Sequence, residues 1–237
     1  MTTESGAEVR NQAELQQAVR KRVFQVLAMV LIYGAALFLA AGRLGWLWGW
    51  VYLDLYLALI VANALVMDRE LVAERAEVRE GTKGWDRLLG GVSLLLVQPV
   101  TFVVAGLDER FGWTDVVLPL QLLAALLLAL ANALVVWAMA SNRFFAVTVR
   151  IQEERGHDVV TQGAYRLVRH PAYLAFLLMG IATPPLLDSW WAAIPALLGS
   201  AGMVVRTALE DRTLRRELPG YEEYAEEVRY RLLPGVW

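Results

Sequence analysis

The 237-residue chain has no cysteine and only two histidines, His157 and His170. Disulfides, thiolate metal sites and a cysteine nucleophile are therefore excluded, and so is a histidine-rich metal centre. Charge is scarce, at 19% of residues with a net charge of −2, and no long basic tract occurs, so nucleic acid is not an expected partner. There is no Gly-x-Gly-x-x-Gly fingerprint and no alternation of strand and helix patterns, which excludes a Rossmann-type nucleotide site. No internal repeat of the kind that builds inverted-repeat transporters is evident.

What the chain has in excess is apolar residues, at 57%, with a mean hydropathy of +0.44. They fall in blocks long enough to cross a bilayer. Uncharged or nearly uncharged runs cover Val23–Ala41, Trp46–Met67, Leu88–Gly106 and Val116–Ala140, and a tight hairpin follows from Tyr173–Leu187 and Trp190–Val205. Trp46, Trp48, Trp50 and Tyr52 suggest an aromatic belt at the start of the second run. The expectation is an all-α, multi-pass integral membrane protein of about six spans.

If the N-terminus is cytoplasmic, segments 1–22, 68–87, 141–172 and 206–237 share its side and hold 20 of the 22 Lys and Arg residues. That asymmetry sets both termini in the cytoplasm. Four spans with a re-entrant hairpin would give the same charge sides. The chain thus divides into a cytoplasmic segment 1–22, a four-span region 23–140 and a C-terminal region 141–237. The four-span region contains the charged connector 68–87, which reads as a solvated surface helix. The C-terminal region contains the membrane hairpin 173–205 and a cytoplasmic tail. Asp54 lies within the second run, where an ionisable group is costly unless near the interface. Asn63 and Asn132 read as interhelical hydrogen-bonding residues.

Two polar stretches flank the hairpin, Asn142–Tyr173 and Arg206–Trp237, and should meet at the cytoplasmic surface. The first is much longer than an ordinary helix connection, and long connections are often functional. Pro171 favours a helix start there and sets His170 at a helix N-terminus, where free N–H groups can bind a carboxylate. Arg206 and Glu210 are four residues apart and share a helix face. Taken singly these features have plainer readings. Arg166 and Arg169 could anchor a helix end at headgroups. Arg206 and Glu210 could be a surface ion pair. Tyr221 and Tyr224 read as packing residues, and Glu222, Glu223, Glu226 and Glu227 as a solvated face.

The pattern Gly163-x-Tyr165-Arg166-x-x-Arg169-His170-Pro171-x-Tyr173 resembles the signature of the isoprenylcysteine carboxyl methyltransferase family. So do Arg206-x-x-x-Glu210-Asp211 with Leu214, Tyr221-x-x-Tyr224, Arg231-Leu232-Leu233-Pro234 and the upstream His157-x-x-Val160. The resemblance covers roughly residues 140–237. It implies a membrane methyltransferase that uses S-adenosylmethionine, with its active site facing the cytoplasm between the last spans and the tail. It implies cofactor binding by His157, Asp158, Val159, Val160, Gly163, Tyr165, Arg169, His170, Pro171, Ala172, Tyr173 and Glu210. It also implies that Arg206 faces the substrate and is catalytic with Glu210. Gln152 is carried as the family's upstream glutamine, although it sits two residues closer to His157 than the pattern expects, where Arg150 stands. No metal is implied.

The implied partner is a lipidic or prenylated acceptor in the membrane. A carboxylate acceptor is already ionised near neutral pH and needs no general base. Methylation of a phospholipid amine is the alternative, with Glu210 or His170 as base. Membrane reductases with a similar Arg-His-Pro-x-Tyr element and NADPH, and a non-enzymatic membrane protein, are the readings from other classes.

Overall fold

The computed structural model describes the backbone of residues 2–67, 69–76 and 81–237, and the side chains of 12–67, 69, 71–76 and 81–237. All regular structure among the described residues is helical. Four helices are long and apolar enough to cross a membrane: α1 (Thr2–Ala41) over Gln12–Ala41, α2 (Leu47–Val66), the rod Gly84–Phe111, and α6 (Leu118–Ser141). The rod is α4 (Gly84–Leu95), a π-helical turn (Leu96–Val100) and α5 (Thr101–Phe111). Its bulge has a local cause. Pro99 has no N–H to donate and its ring collides with the carbonyl four residues back, so the helix widens by one residue. Thr101 Oγ1 then donates to Leu96 O at 2.7 Å, which serves a carbonyl inside an apolar layer.

The C-terminal pair is α7 (Pro171–Leu186) and α8 (Ala193–Glu217), followed by the short α9 (Tyr221–Glu227). At 16 residues, α7 is shorter than the other apolar helices. The segments on either side of α7 reach both ends of α6. At one end Gly163 lies against Ser141, the last residue of α6. At the other, the hairpin tip is tied to the loop in front of α6. Asp108 accepts from Thr114 N (2.8 Å), Thr114 Oγ1 (2.6 Å) and Ser189 Oγ (2.6 Å), and Asp188 accepts from Val116 N (2.5 Å).

Two local expectations change. The belt at the start of α2 is not built from Trp46 and Tyr52, which are buried, Trp46 edge-on to Phe38. Trp50, Trp113, Trp190 and Trp191 are the exposed indoles at this end. The connector 68–87 is not a solvated helix. Asp68 and residues 77–80 lie outside the described residues, but α3 (Arg69–Glu74) packs on α1 and buries Leu71, Ala73 and Glu74, and Asp86 is buried in α4. Asp54 is exposed on α2. Asn132 donates to Leu55 O across the α2–α6 contact at 3.1 Å.

The core of the bundle contains Tyr33, Leu37, Tyr52, Phe102, Leu128 and Ala175. Lipid tails are as apolar as these side chains, so close packing and hydrogen bonds hold the helices together rather than burial from water. Glycine permits the closest approaches. A Cβ on Gly106 would lie 2.6 Å from Ala40 Cβ and 2.7 Å from Leu37 O. We expect Gly106→Val to force α5 away from α1 and to cost about 1–3 kcal/mol, read as a lowered Tm in detergent. Gly45→Ala, with nothing near the new methyl, should leave Tm unchanged.

Candidate active site

The two polar stretches do meet, and a buried carboxylate joins them. Asp211, fully buried on α8, takes a bidentate pair from Arg169 (Nε 2.7 Å, Nη2 3.2 Å), a bond from Arg231 Nε (2.8 Å) and one from the Tyr221 hydroxyl (3.1 Å). His170 Nε2 lies 3.3 Å from the same carboxylate. Burial alone would raise the Asp211 pKa, but the bonds from His170, Arg169 and Arg231 outweigh it and hold the carboxyl well below the usual range. Arg169 Nη1 also donates to Val228 O (2.7 Å) and Arg229 O (2.8 Å). The backbone N–H groups of Arg169 and His170 donate to Tyr230 O and Arg231 O. The tail is thus clamped across the entrance to α7. Arg169 is a buried clamp and not a headgroup anchor, whereas Arg166 is exposed.

A groove of about 130 Å³ opens beside this clamp. Its lining includes the sequence-predicted Gln152, His157, Asp158, Val159, Val160, Tyr165, Arg169, His170, Ala172, Tyr173 and Glu210. Gly163 and Pro171 are not in the lining and act on the backbone. Gly163 has φ +58 and no room for a Cβ, which would meet Ser141 Oγ at 2.0 Å, and Pro171 is the first residue of α7. The first-turn N–H groups of Ala172 and Tyr173 precede any carbonyl α7 can offer them. Gln152 is buried, but its amide is engaged with Phe144 O (2.7 Å) and Arg155 Nη1 (2.7 Å), so it shapes the 143–155 loop. Its backbone N–H donates to His157 Nδ1 at 3.2 Å, which leaves the other ring nitrogen to carry the proton. Burial and then Arg150 lower the His157 pKa, which keeps the ring neutral. The ring lies against Phe144 with centroids 4.5 Å apart.

Arg206 and Glu210 do not pair with each other. Glu210 accepts from the Tyr173 hydroxyl and lines the groove. Arg206 lies over the Tyr173 ring, 5.3 Å from its centroid, and lines a different space. That space is a mainly apolar cavity of about 890 Å³ enclosed by α1, α2, α4, α6, α7 and α8. Phe145, Thr148 and Phe176 line both the groove and the cavity, so the two share a wall.

Three site residues have no obvious signal in the motifs. Asp86 receives Arg206 Nε at 2.6 Å and Val149 N at 2.9 Å, tying α4, α8 and the 142–170 loop. Glu74 pairs with Arg150 at 2.5 Å, both buried. Arg150 lines the groove and its buried Nε has no acceptor among the described residues. A carboxylate two residues ahead of an apolar run was the available hint for Asp86.

Residues 123–216 match the Isoprenylcysteine carboxyl methyltransferase (ICMT) family. The chain is 30% identical over 92 residues to "Probable protein-S-isoprenylcysteine O-methyltransferase" of Oryza sativa subsp. indica, a stretch that is 38% of this chain and 48% of that protein. It is 39% identical over 92 residues to "Protein-S-isoprenylcysteine O-methyltransferase A" of Arabidopsis thaliana, 38% of this chain and 47% of that protein. The match spans about half the length of these curated relatives.

Removing the clamp's anion should release the tail. We expect Asp211→Asn, which leaves buried arginine charge unpaired, to cost about 3–5 kcal/mol. Trypsin should then cut at Arg229 and Arg231 well before it does in wild type, while Glu226→Gln has no effect. Because the folded-state pKa of Asp211 is depressed, its stabilisation is complete above the unfolded value of ~3.9 and is lost as pH falls below it. Wild-type tail protection should therefore be flat from about pH 5 to pH 8.

Proposed function

We propose that this chain, whose residues 123–216 match the isoprenylcysteine carboxyl methyltransferase family, is a membrane methyltransferase. It moves a methyl group from S-adenosylmethionine in the groove to the carboxylate of a lipidic acceptor in the cavity. The observation that carries this reading is the shared wall of Phe145, Thr148 and Phe176. A water-soluble donor and a lipid need different surroundings, and here a polar groove abuts an apolar cavity. The charge asymmetry of the loops supports a groove that opens to the cytoplasm.

The residues present fit the donor's parts. Arg150 Nε and the N–H groups of Ala172 and Tyr173 offer donors for a carboxylate, and Glu210 offers an anion for an ammonium group. Phe144, Tyr165, Tyr173, Tyr221 and Tyr224 supply flat walls for a purine, and His157 a ring N–H for a hydroxyl. When bound, S-adenosylmethionine supplies an electrophilic methyl on a sulfonium centre.

The chain's own task is alignment and exclusion of water. Tyr173 holds Glu210 by its hydroxyl and meets Arg206 by its ring face, so one side chain spans both compartments. Arg206, kept in place by Asp86 and by Val147 O at 2.8 Å, sets a fixed positive charge where an acceptor carboxylate would lie. Bound in the groove, the donor would supply its methyl group to the acceptor carboxylate oxygen held by Arg206, the electron pair of the broken carbon–sulfur bond staying on sulfur. No proton has to move, so no base is required. The names of the relatives support a prenylated cysteine as acceptor.

The test uses detergent-purified protein, methyl-labelled S-adenosylmethionine and N-acetyl-S-farnesylcysteine. Wild type should yield a base-labile methyl ester. Glu210→Gln should weaken donor binding roughly tenfold, whereas Arg206→Gln should lower transfer with donor affinity unchanged. Donor binding without ester formation would remove the carboxylate acceptor, and a folded protein with no donor binding would remove the methyltransferase reading.

A further inference from the structure

The α1–α3 side of the large cavity carries positive charge with no ion pair to it among the described residues. Arg22 on α1 and Arg75, just after α3, both line it. Among the described residues the only side-chain hydrogen bond of Arg22 is to Gln25, at 3.4 Å. The guanidinium of Arg75 makes none. It lies over the Phe145 ring, 5.2 Å from the centroid, and its Nη1 is buried without an acceptor. Among the described residues, Glu74 is engaged by Arg150 at 2.5 Å and Asp86, which lines the cavity, by Arg206 at 2.6 Å. Burial and then the charge of Arg22 pull the Arg75 pKa down to about 10.

Two guanidiniums close together in a poorly solvated space repel each other and lack their hydration. An anion between them removes both penalties. The guanidinium plane matches phosphate or carboxylate oxygens in pairs, and two cations against one headgroup favour a doubly charged phosphate monoester over a single carboxylate. Asn63 on α2 adds an unpaired Oδ1 to the same lining, an acceptor for a neighbouring hydroxyl. Val26, Met29, Leu59, Leu128 and Met179 make the rest of the space suitable for a hydrocarbon chain.

We propose that this cavity binds a phosphate-bearing lipid, its phosphate held by Arg22 and Arg75 and its chain in the apolar interior. Its polar residues, Arg22, Arg75 and Asn63, lie outside the groove and outside the 123–216 family match. It goes beyond the methyl-transfer reading, and because the lipid would share the cavity assigned to the acceptor, its test reads lipid binding rather than methyl transfer.

The experiment compares oleoyl-glycerol phosphate with mono-oleoylglycerol, which has the same chain and glycerol but no phosphate. Both are titrated into full-length protein in non-ionic detergent and followed by native mass spectrometry. Wild type should bind the phosphate lipid roughly tenfold more tightly than the neutral one. The Arg22→Gln/Arg75→Gln double variant should bind both equally and keep wild-type affinity for S-adenosylmethionine. If the double variant does not fold, Arg75→Gln alone should lose part of the preference and Arg75→Lys should keep more of it. Equal affinities in wild type, or a preference that survives the folded double variant, would overturn the proposal. Phosphate-lipid binding without S-adenosylmethionine binding would leave this site standing and remove the methyltransferase. The converse result would do the opposite.

Discussion

A single buried carboxylate, Asp211, holds the polar half of this protein together. It is enclosed by Arg169, Arg231, Tyr221 and His170, from the entrance to α7, the C-terminal tail and α9. An ionised group in such a place is tolerated only if it is fully partnered, and each partner is thereby fixed relative to the others. The groove follows from that arrangement. Its floor is the start of α7, its far wall is Tyr221 and Tyr224, and its near wall is the 142–160 loop folded over Phe144 and His157.

A second buried pair, Asp86–Arg206, does the same for the membrane side. It ties α4 to α8 and, through Val147 and Val149, to the underside of the loop that forms the groove. Arg206 and Glu210, one helical turn apart, consequently look into different compartments. Glu210 faces the polar groove and Arg206 the apolar cavity, with Tyr173 touching both. The proposed methyl transfer would need this division, because a zwitterionic donor and a hydrocarbon-bearing acceptor cannot share one kind of surface. The thin wall of Phe145, Thr148 and Phe176 is where they could be brought within bonding reach.

Much of this was legible in the chain itself. Hydropathy and length mark the long helices, since a bilayer allows few alternatives to an apolar helix. Motif spacing assembles Tyr165, His170, Tyr173 and Glu210, because residues at a helix start and one turn apart on a neighbouring helix have little freedom. Tertiary pairing decides what each polar group does, and spacing does not encode it. Asp86 and Arg206 are 120 residues apart, and Glu74 and Arg150 are 76 apart. The charges of 68–87 therefore looked solvated when two of them are buried. Gln152 and Arg169 line the groove, and their polar side-chain atoms also hold the loop and the tail, a role spacing does not reveal. Trp46 looked interfacial because of its neighbours, and it is packed on Phe38 instead.

The most direct test of the shared wall is photolabelling with two probes on one sample of full-length protein. S-adenosylmethionine is cross-linked by ultraviolet light, a farnesylcysteine carrying a diazirine on its chain is activated separately, and both adducts are mapped by peptide sequencing. The donor should mark groove residues such as Phe144, His157 and Tyr221, and the lipid probe cavity residues such as Leu128 and Met179. The two sets should overlap only at Phe145, Thr148 and Phe176. Labelling of a single common set by both probes, or lipid adducts confined to the outer faces of α2 and α6, would contradict the account.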